Sequence, residues 1–406
     1  MQQAYQKLKI GDLGKVITGR TPPSSKPECF GELYPFVTPT DMHDRKAAHT
    51  TERYLSEDGA VLLKRNLLPP GSVSVSCIGW QMGKSILISR PSFSNQQLNT
   101  VIPNEKVDSD YLYYLLTTKR EQLFSIASAT GVRTPILNKS SFSDIEVEIP
   151  KIEIQRKIAP VLTNYDNLIE NNNRRIAILE DMARCLYREW FVKFRFPGHE
   201  NCQFKDSVLG EIPDGWDVKA VEECYKTSSG GTPSRKKPEY YGDDHWWTKT
   251  KELKDGFITS VDEKISDLGL SKSSAKLFPK DTVLLAMYGA TIGRLGILTN
   301  ESATNQACCA LIPLEKIYSP WFIYLTLLSK RPDLLSLGQG AAQQNISQQV
   351  IKGFKFLLPE LSILDQFNSG VEPMFREIEL LLKSNKNLKK QRDLLLPKLI
   401  SGKIEI

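Results

Sequence analysis

The chain has 406 residues, carries 53 Lys and Arg against 47 Asp and Glu for a net charge of +6, and is 40% hydrophobic and 25% charged. At about 150 residues per domain, the length leaves room for two or three cores and excludes a single small module; the composition excludes wholesale disorder and fibrous classes. The modest positive balance permits a nucleic-acid partner through local basic patches without requiring one.

The N-terminal stretch MQQAYQKLKIGDLG lacks the apolar core of an export signal, and the densest apolar run, Trp321 to Leu328, is far shorter than a bilayer crossing, so a soluble, cytoplasmic chain is expected. Residues 1–150 read as a mixed α+β globule: short β-rich runs such as Ser72 to Ser76 are broken by Gly and Pro, and aromatic and leucine spacing predicts a helix from Asp110 to Gln122. Over residues 151–195 the period switches. Apolar positions step by four and three through Ile158, Leu162, Tyr165, Ile169, Asn172, Ile176, Leu179, Ala183, Leu186 and Trp190, the signature of a coiled-coil seam. From Ile158 to Trp190 such a helix spans about 48 Å at 1.5 Å per residue. Residues 196–215 form a linker. Residues 216–359 read as a second globule, with a β-rich run at Thr282 to Met287 and a predicted helix at Pro320 to Ser329. Residues 360–406 repeat the heptads through Phe367, Val371, Met374, Ile378, Leu381, Asn385, Leu388, Arg392, Leu395 and Leu399. Pro160 and Pro373 are expected in the first turn of each long helix, or at a kink just after a short preceding turn.

The two halves are copies. Gly19 to Asp44 laid over Gly230 to Asp255, at an offset of 211, matches at eight of 26 positions, among them Gly19/Gly230, Thr21/Thr232, Pro22/Pro233 and the Lys-Pro-Glu at 26–28 and 237–239. At an offset of 210, Gly79 and Gly83 match Gly289 and Gly293, and Asn95-Gln96 matches Asn305-Gln306. An offset of 213 aligns Pro160 with Pro373 and Asn172 with Asn385. If each long helix leaves its own globule and ends near the other, the two run antiparallel, giving a dumbbell with a pseudo-two-fold axis.

Catalytic signatures are poorly served. No strand-associated GxGxxG, GxSxG or HExxH occurs, and Gly79-Trp-Gln-Met-Gly83-Lys84-Ser85 has three residues between its glycines where a phosphate-cradling loop needs four, so the glycines read as tight turns. Seven cysteines, an odd number without a CxxC pair, fit reduced thiols, and His199 with Cys202 lacks a second ligand pair, so no metal site is expected.

The order G-x-T-P…KPE-x-(Y/F)-G, then G-xxx-G and NQ, then a heptad helix, all repeated and ending LLLPKLISGKI, resembles the specificity subunit of type I restriction-modification systems; Gly210 to Trp216, GEIPDGW, is similar to that family's entry into its second recognition domain. The resemblance covers essentially the whole chain. It implies two pseudo-symmetric target-recognition globules joined by two long helices that form an antiparallel coiled coil. Each globule would read one half of a bipartite double-stranded DNA target, with the helices as spacer and docking site for two methyltransferase subunits, which restriction/motor subunits then join. It implies no catalytic centre and no cofactor in this chain, S-adenosylmethionine, ATP and Mg belonging to partner subunits.

Chemistry alone nominates DNA-contacting residues, since Arg, Lys, Asn and Gln read base edges and Lys, Arg, Ser and Thr grip phosphates. In the first globule these are Arg20, Lys26, Arg133, Thr134, Asn138 and Lys139; in the second, Arg235, Lys236, Lys237, Lys249, Lys251, Gln343, Gln344 and Asn345. Each run is equally compatible with a solvated loop. Asn172 and Asn385 either fix the seam's register or fill a partly exposed position. Arg392 is placed to cover apolar surface with its stem while its head reaches a partner. The face formed by Lys383, Lys386, Lys389 and Lys390 is open to solvent, DNA or an acidic partner. A coiled-coil adaptor without DNA specificity, and a self-contained nuclease or methyltransferase, are the alternative readings.

Overall fold

The computed structural model describes residues 5–42, 46–47, 50–128, 135–338 and 345–406. The chain divides into two compact units, Met1–Asn171 with Asn385–Ile406, and Asn172–Ser384. Both have the same mixed architecture.

In the first unit a four-stranded sheet orders the strands Gly14–Thr18, Leu98–Pro103, Val73–Ser76 and Ser85–Leu87, all antiparallel. Val73–Ser76 is buried on both faces. Val73 and Val75 join the core under the helix Ser109–Thr118, while the opposite face packs Ile86, Leu98 and Val37. A second sheet contains Tyr34–Val37 paired in parallel with Phe93–Ser94. The second unit repeats this plan in the same register. Val73 faces Val101 as Val283 faces Leu311, at a common offset of 210, and Phe36 faces Phe93 as Trp247 faces Ala303. Its larger sheet has a fifth strand, Gly256–Ile258, where the described residues of the first unit form the bridge Ala47–Leu87.

Local chemistry recurs as well. Asp108 caps the helix Ser109–Thr118 by accepting the Tyr111 amide at 3.0 Å, and Ser319 caps Pro320–Ser329 through the Phe322 amide at 3.2 Å. Such caps satisfy amides that a helix start leaves without partners. The predicted helix 110–122 is in fact two, Ser109–Thr118 and Arg120–Ser128, with a break at Lys119.

The first long helix runs Ile152–Tyr187 and continues as a π-turn, Arg188–Val192; the second runs Leu361–Ile400. Pro160 and Pro373 therefore lie in helix interiors, not in first turns. The sequence upstream of each proline extends the helix because it has packing to make. Gln155 is fully buried, donates to the carbonyls of Lys106 at 3.0 Å and Pro150 at 2.9 Å, and accepts the Asp108 amide at 2.9 Å. Asn368 does the same in the second unit, donating to the Ile317 carbonyl at 2.9 Å and accepting from the Ser319 hydroxyl at 2.5 Å. These side-chain bonds anchor the turns upstream of each proline, which itself removes one helix hydrogen bond.

Within each unit the helix segments run antiparallel. In the first, Ile158 and Leu162 pack with Leu399 and Leu396, and Asp166 pairs with Arg392. In the second, Ile176 packs with Ile378 and Leu381, and Phe191 meets Phe367 with ring centroids 4.7 Å apart. Of the expected seam, Ile158, Leu162, Ile169, Asn172, Ile176, Ala183, Phe367, Val371, Ile378, Leu381, Asn385 and Leu399 are buried; Tyr165, Leu179, Leu186, Trp190, Met374, Leu388, Arg392 and Leu395 are half-buried. The segment expected to be a plain linker contains a hairpin, Phe204–Ser207 with Gly210–Pro213, whose strands are joined by Val208 and Leu209.

Candidate nucleic-acid interface

In each globule the loops that leave the large sheet are drawn together by the duplicated motifs. Gly19 follows the strand Gly14–Thr18, and a Cβ there would meet the Asn95 carbonyl at 2.2 Å; at Gly230 it would meet that of Thr304 at 2.0 Å. Only glycine lets these backbones close. Thr21 then donates to Gln96 at 2.7 Å, and Thr232 to Gln306, tying the G-x-T-P loop to the NQ segment in both copies.

The G-xxx-G segments are tight turns. Gly79, Gly83, Gly289 and Gly293 have φ of +56°, +77°, +86° and +75°, a region that costs other residues strain. Each turn closes by the second glycine's amide donating to the strand before it, Gly83 to Ser76 at 2.8 Å and Gly293 to Ala286 at 2.9 Å. The amide of Gly79 donates to Pro135 at 2.9 Å and that of Ile346 to Met287 at 2.8 Å, so residues 135 and 346 lie directly beside the turns. The turn in the first globule carries Trp80, 84% exposed, where the second has Ala290.

Arg20 and Lys26 are exposed on the first of these loops. Asn138 is exposed, and its side-chain oxygen accepts the Ser141 amide at 2.9 Å and caps the short helix Lys139–Ser143, on which Lys139 is also exposed. Arg133, Thr134, Gln343 and Gln344 lie outside the described residues, and Asn345 is exposed in a bridge with Tyr288. In the second globule the basic candidates separate. Lys236 is exposed, and Lys237 donates to the Tyr240 hydroxyl at 3.0 Å. Arg235 and Lys249 converge on one carboxylate, Glu263, at 2.6 and 2.7 Å. Lys249, then Arg235, hold the Glu263 carboxyl below its usual value against the opposing effect of burial. The Lys249 side chain is 15% exposed, so its charge is largely spent inside the protein; Lys251 is paired with Asp262. Trp80, Arg53, Arg90 and Glu263 were not singled out by sequence reasoning. Arg53 and Glu263 correspond at the offset of 210, three residues before the identical pair Ser56/Ser266, but they carry opposite charges, so the repeat does not mark them.

On the second long helix, Lys383 is paired with buried Glu379 at 2.7 Å, which also binds Lys280 at 2.8 Å and Arg376 at 3.5 Å. Lys386 and Lys390 are exposed and Lys389 half-buried. Among the described residues no group of three or more His, Cys, Asp or Glu could hold a metal ion, and no helix is long and apolar enough to cross a membrane.

The sequence model described as the type I restriction modification DNA specificity domain matches twice, over residues 3–181 and 213–390. The chain belongs to that family. It is 28% identical over 404 residues to the type I restriction enzyme MjaIX specificity subunit of Methanocaldococcus jannaschii, covering 98% of this chain and 93% of that one. It is 26% identical over 370 residues to the HindI specificity subunit of Haemophilus influenzae, covering 75% and 78%. Its fold is similar to that of the type I restriction-modification system S subunit from M. genitalium, with a TM-score of 0.63 at 15% identity over 98% of this chain and 96% of that one. Specificity subunits are not catalytic.

Proposed function

We propose that the chain is the DNA-reading subunit of a type I restriction-modification complex. Each globule reads one half of a bipartite duplex target, the paired helices set the distance between half-sites, and two methyltransferase subunits dock on the chain before restriction/motor subunits join. S-adenosylmethionine, ATP and Mg are held by those partners.

One observation carries this reading. The two globules keep one strand register and one set of loop ties, yet differ in the side chains those loops present: Trp80 against Ala290, Ser24 against Arg235, Arg53 against Glu263. A constant scaffold with divergent polar tips suits two readers of different half-sites, because base edges are discriminated by side-chain chemistry while the protein's orientation is set by shared contacts. The +6 charge suits a subunit whose partners share the grip on phosphates. The test is to express the chain with its methyltransferase subunits in a host lacking modification and to sequence the methylated bases. One split motif with a fixed gap is expected; methylation without a motif, or none, would remove the reading.

A further inference from the structure

In both globules an arginine lies over the same pair of aromatic rings, but it comes from different parts of the chain. In the first globule the Arg53 guanidinium carbon is 5.4 Å from the Phe30 ring centroid and 5.2 Å from that of Phe36. In the second, that of Arg235 is 4.4 Å from Tyr241 and 5.3 Å from Trp247. Phe30 and Tyr241, like Phe36 and Trp247, are equivalent at the offset of 211.

The arginines themselves are not equivalent. The Phe36 amide donates to the Arg53 carbonyl at 3.0 Å, and the Trp247 amide donates to the Glu263 carbonyl at 3.3 Å. Glu263 thus stands where Arg53 stands, and the place of Arg235 is taken in the first globule by Ser24. The second globule has replaced the strand-edge arginine with a carboxylate that holds a loop arginine over the same rings at 2.6 Å. The same charge at the same place, rebuilt from different residues, is hard to explain by packing alone, since packing over the two rings needs no charge.

From this, and resting on the DNA-reading role proposed above, we infer that Arg53 and Arg235 are equivalent base-reading residues, one per half-site, each presenting a guanidinium fork to a guanine edge in the major groove. Stacking on aromatic faces fixes the plane of the fork and lowers the entropy lost on forming two parallel bonds. The forks remain reachable: Arg53 is exposed and the Arg235 side chain is 57% exposed. The surroundings favour a base edge over a phosphate. Around Arg53 an open depression is lined by Arg90, Glu32 and Glu52 as well as Tyr54, a balanced set of donors and acceptors instead of a cationic trough. Guanine offers two acceptors and its cytosine partner a donor, which such a set can match.

The experiment uses the full chain assembled with its methyltransferase subunits and selection from randomised duplexes. Arg53→Ala and Arg53→Lys are expected to lower preference at one position of one half-site by about 10- to 100-fold, leaving the other half-site unchanged, and Arg235→Ala to do the converse. The rescue is the double variant Glu263→Arg with Arg235→Ser, which rebuilds the first globule's arrangement in the second and should restore part of the preference that Arg235→Ala removes. Uniform weakening on every sequence, with the salt dependence of log K shallower by about 0.9, would make the arginines phosphate contacts and overturn the inference. Selectivity unchanged in Arg53→Ala and Arg53→Lys alike would overturn it too, leaving a packing role. Absence of selectivity in the unsubstituted complex would instead defeat the DNA-reading role itself.

Discussion

Arg392, on the second long helix, binds Asp166 on the first through Nη1 and Oδ1 at 2.5 Å, and the Tyr114 hydroxyl of the globule donates to the other oxygen of the same carboxylate at 2.5 Å. One buried charge therefore ties two helix segments and a recognition globule into a single network. Asp166 is 8% and Arg392 20% exposed at the side chain. Burial alone would lower the arginine's affinity for its proton, but the Asp166 charge more than compensates, and the Tyr114 hydroxyl is pushed well above its usual pKa by burial and then by that carboxylate. Arg392 also binds Asp393 at 2.8 Å, but removing Arg392 leaves the buried Asp166 charge with the Tyr114 hydroxyl and without its cation. Arg392→Ala is expected to destabilise the first unit by about 3 kcal/mol, and the double variant Asp166→Leu with Arg392→Leu by much less. Urea denaturation of the three proteins reads the difference; equal losses would contradict the pairing.

Acid should weaken the second unit through two carboxylates. Burial would raise Asp255, but the Leu295 amide and the guanidiniums of Arg294 and Arg331 outweigh it and hold its pKa below the usual value; Lys280 and Lys383 do the same for Glu379. A depressed folded pKa contributes stability that is complete above the ordinary carboxylate range, near pH 4, and is lost as pH falls through the folded values. The gap in urea midpoint between the unsubstituted chain and Asp255→Asn should be largest at neutral pH and close on acidification. A gap independent of pH would refute the assignment.

Thiol reactivity should divide the seven cysteines, all of them free, by position. Burial pushes the Cys77 thiol up to about 11 and that of Cys309 up to about 12, so neither is a thiolate at pH 8. Cys185 and Cys202 are half-buried. A short maleimide pulse followed by mass spectrometry should label these two first and the buried five only after urea; rapid labelling of Cys77 or Cys309 would contradict the packing around them.

Asn172 and Asn385 are both buried, at 8% and 6% exposure, in positions where a coiled-coil seam ordinarily takes an apolar residue. A buried asparagine lowers stability and restricts register. Replacing both by Leu should raise the melting temperature while letting the complex methylate sites with more than one gap between half-sites. A higher melting temperature with a single unchanged gap would show that register is set elsewhere.

Much of this architecture is legible in the sequence because it is written twice. The glycines at 19, 79, 83, 230, 289 and 293 recur because the backbone needs them, and the heptads recur because the helices bury one face. What escaped is what long-range contact decides. Pro160 looked like a helix start, or a kink after one short turn, because nothing local announces that Gln155 will be buried against Lys106 and Asp108. That Lys249 and Arg235 share the carboxylate of Glu263 was not legible, because Glu263 is distant from both in sequence and its counterpart in the other copy is an arginine. The cap made by Asn138 was not legible because a helix of five residues gives no periodic signal by which it could be recognised.

The central claim is that each globule reads its own half of the target. Exchanging residues 1–150 for the corresponding globule of another specificity subunit, and sequencing the methylated bases made by the chimaera, tests it most directly. A motif changed in one half, with the other half and the gap retained, is the predicted result. A motif changed in both halves, or in neither, would contradict the account.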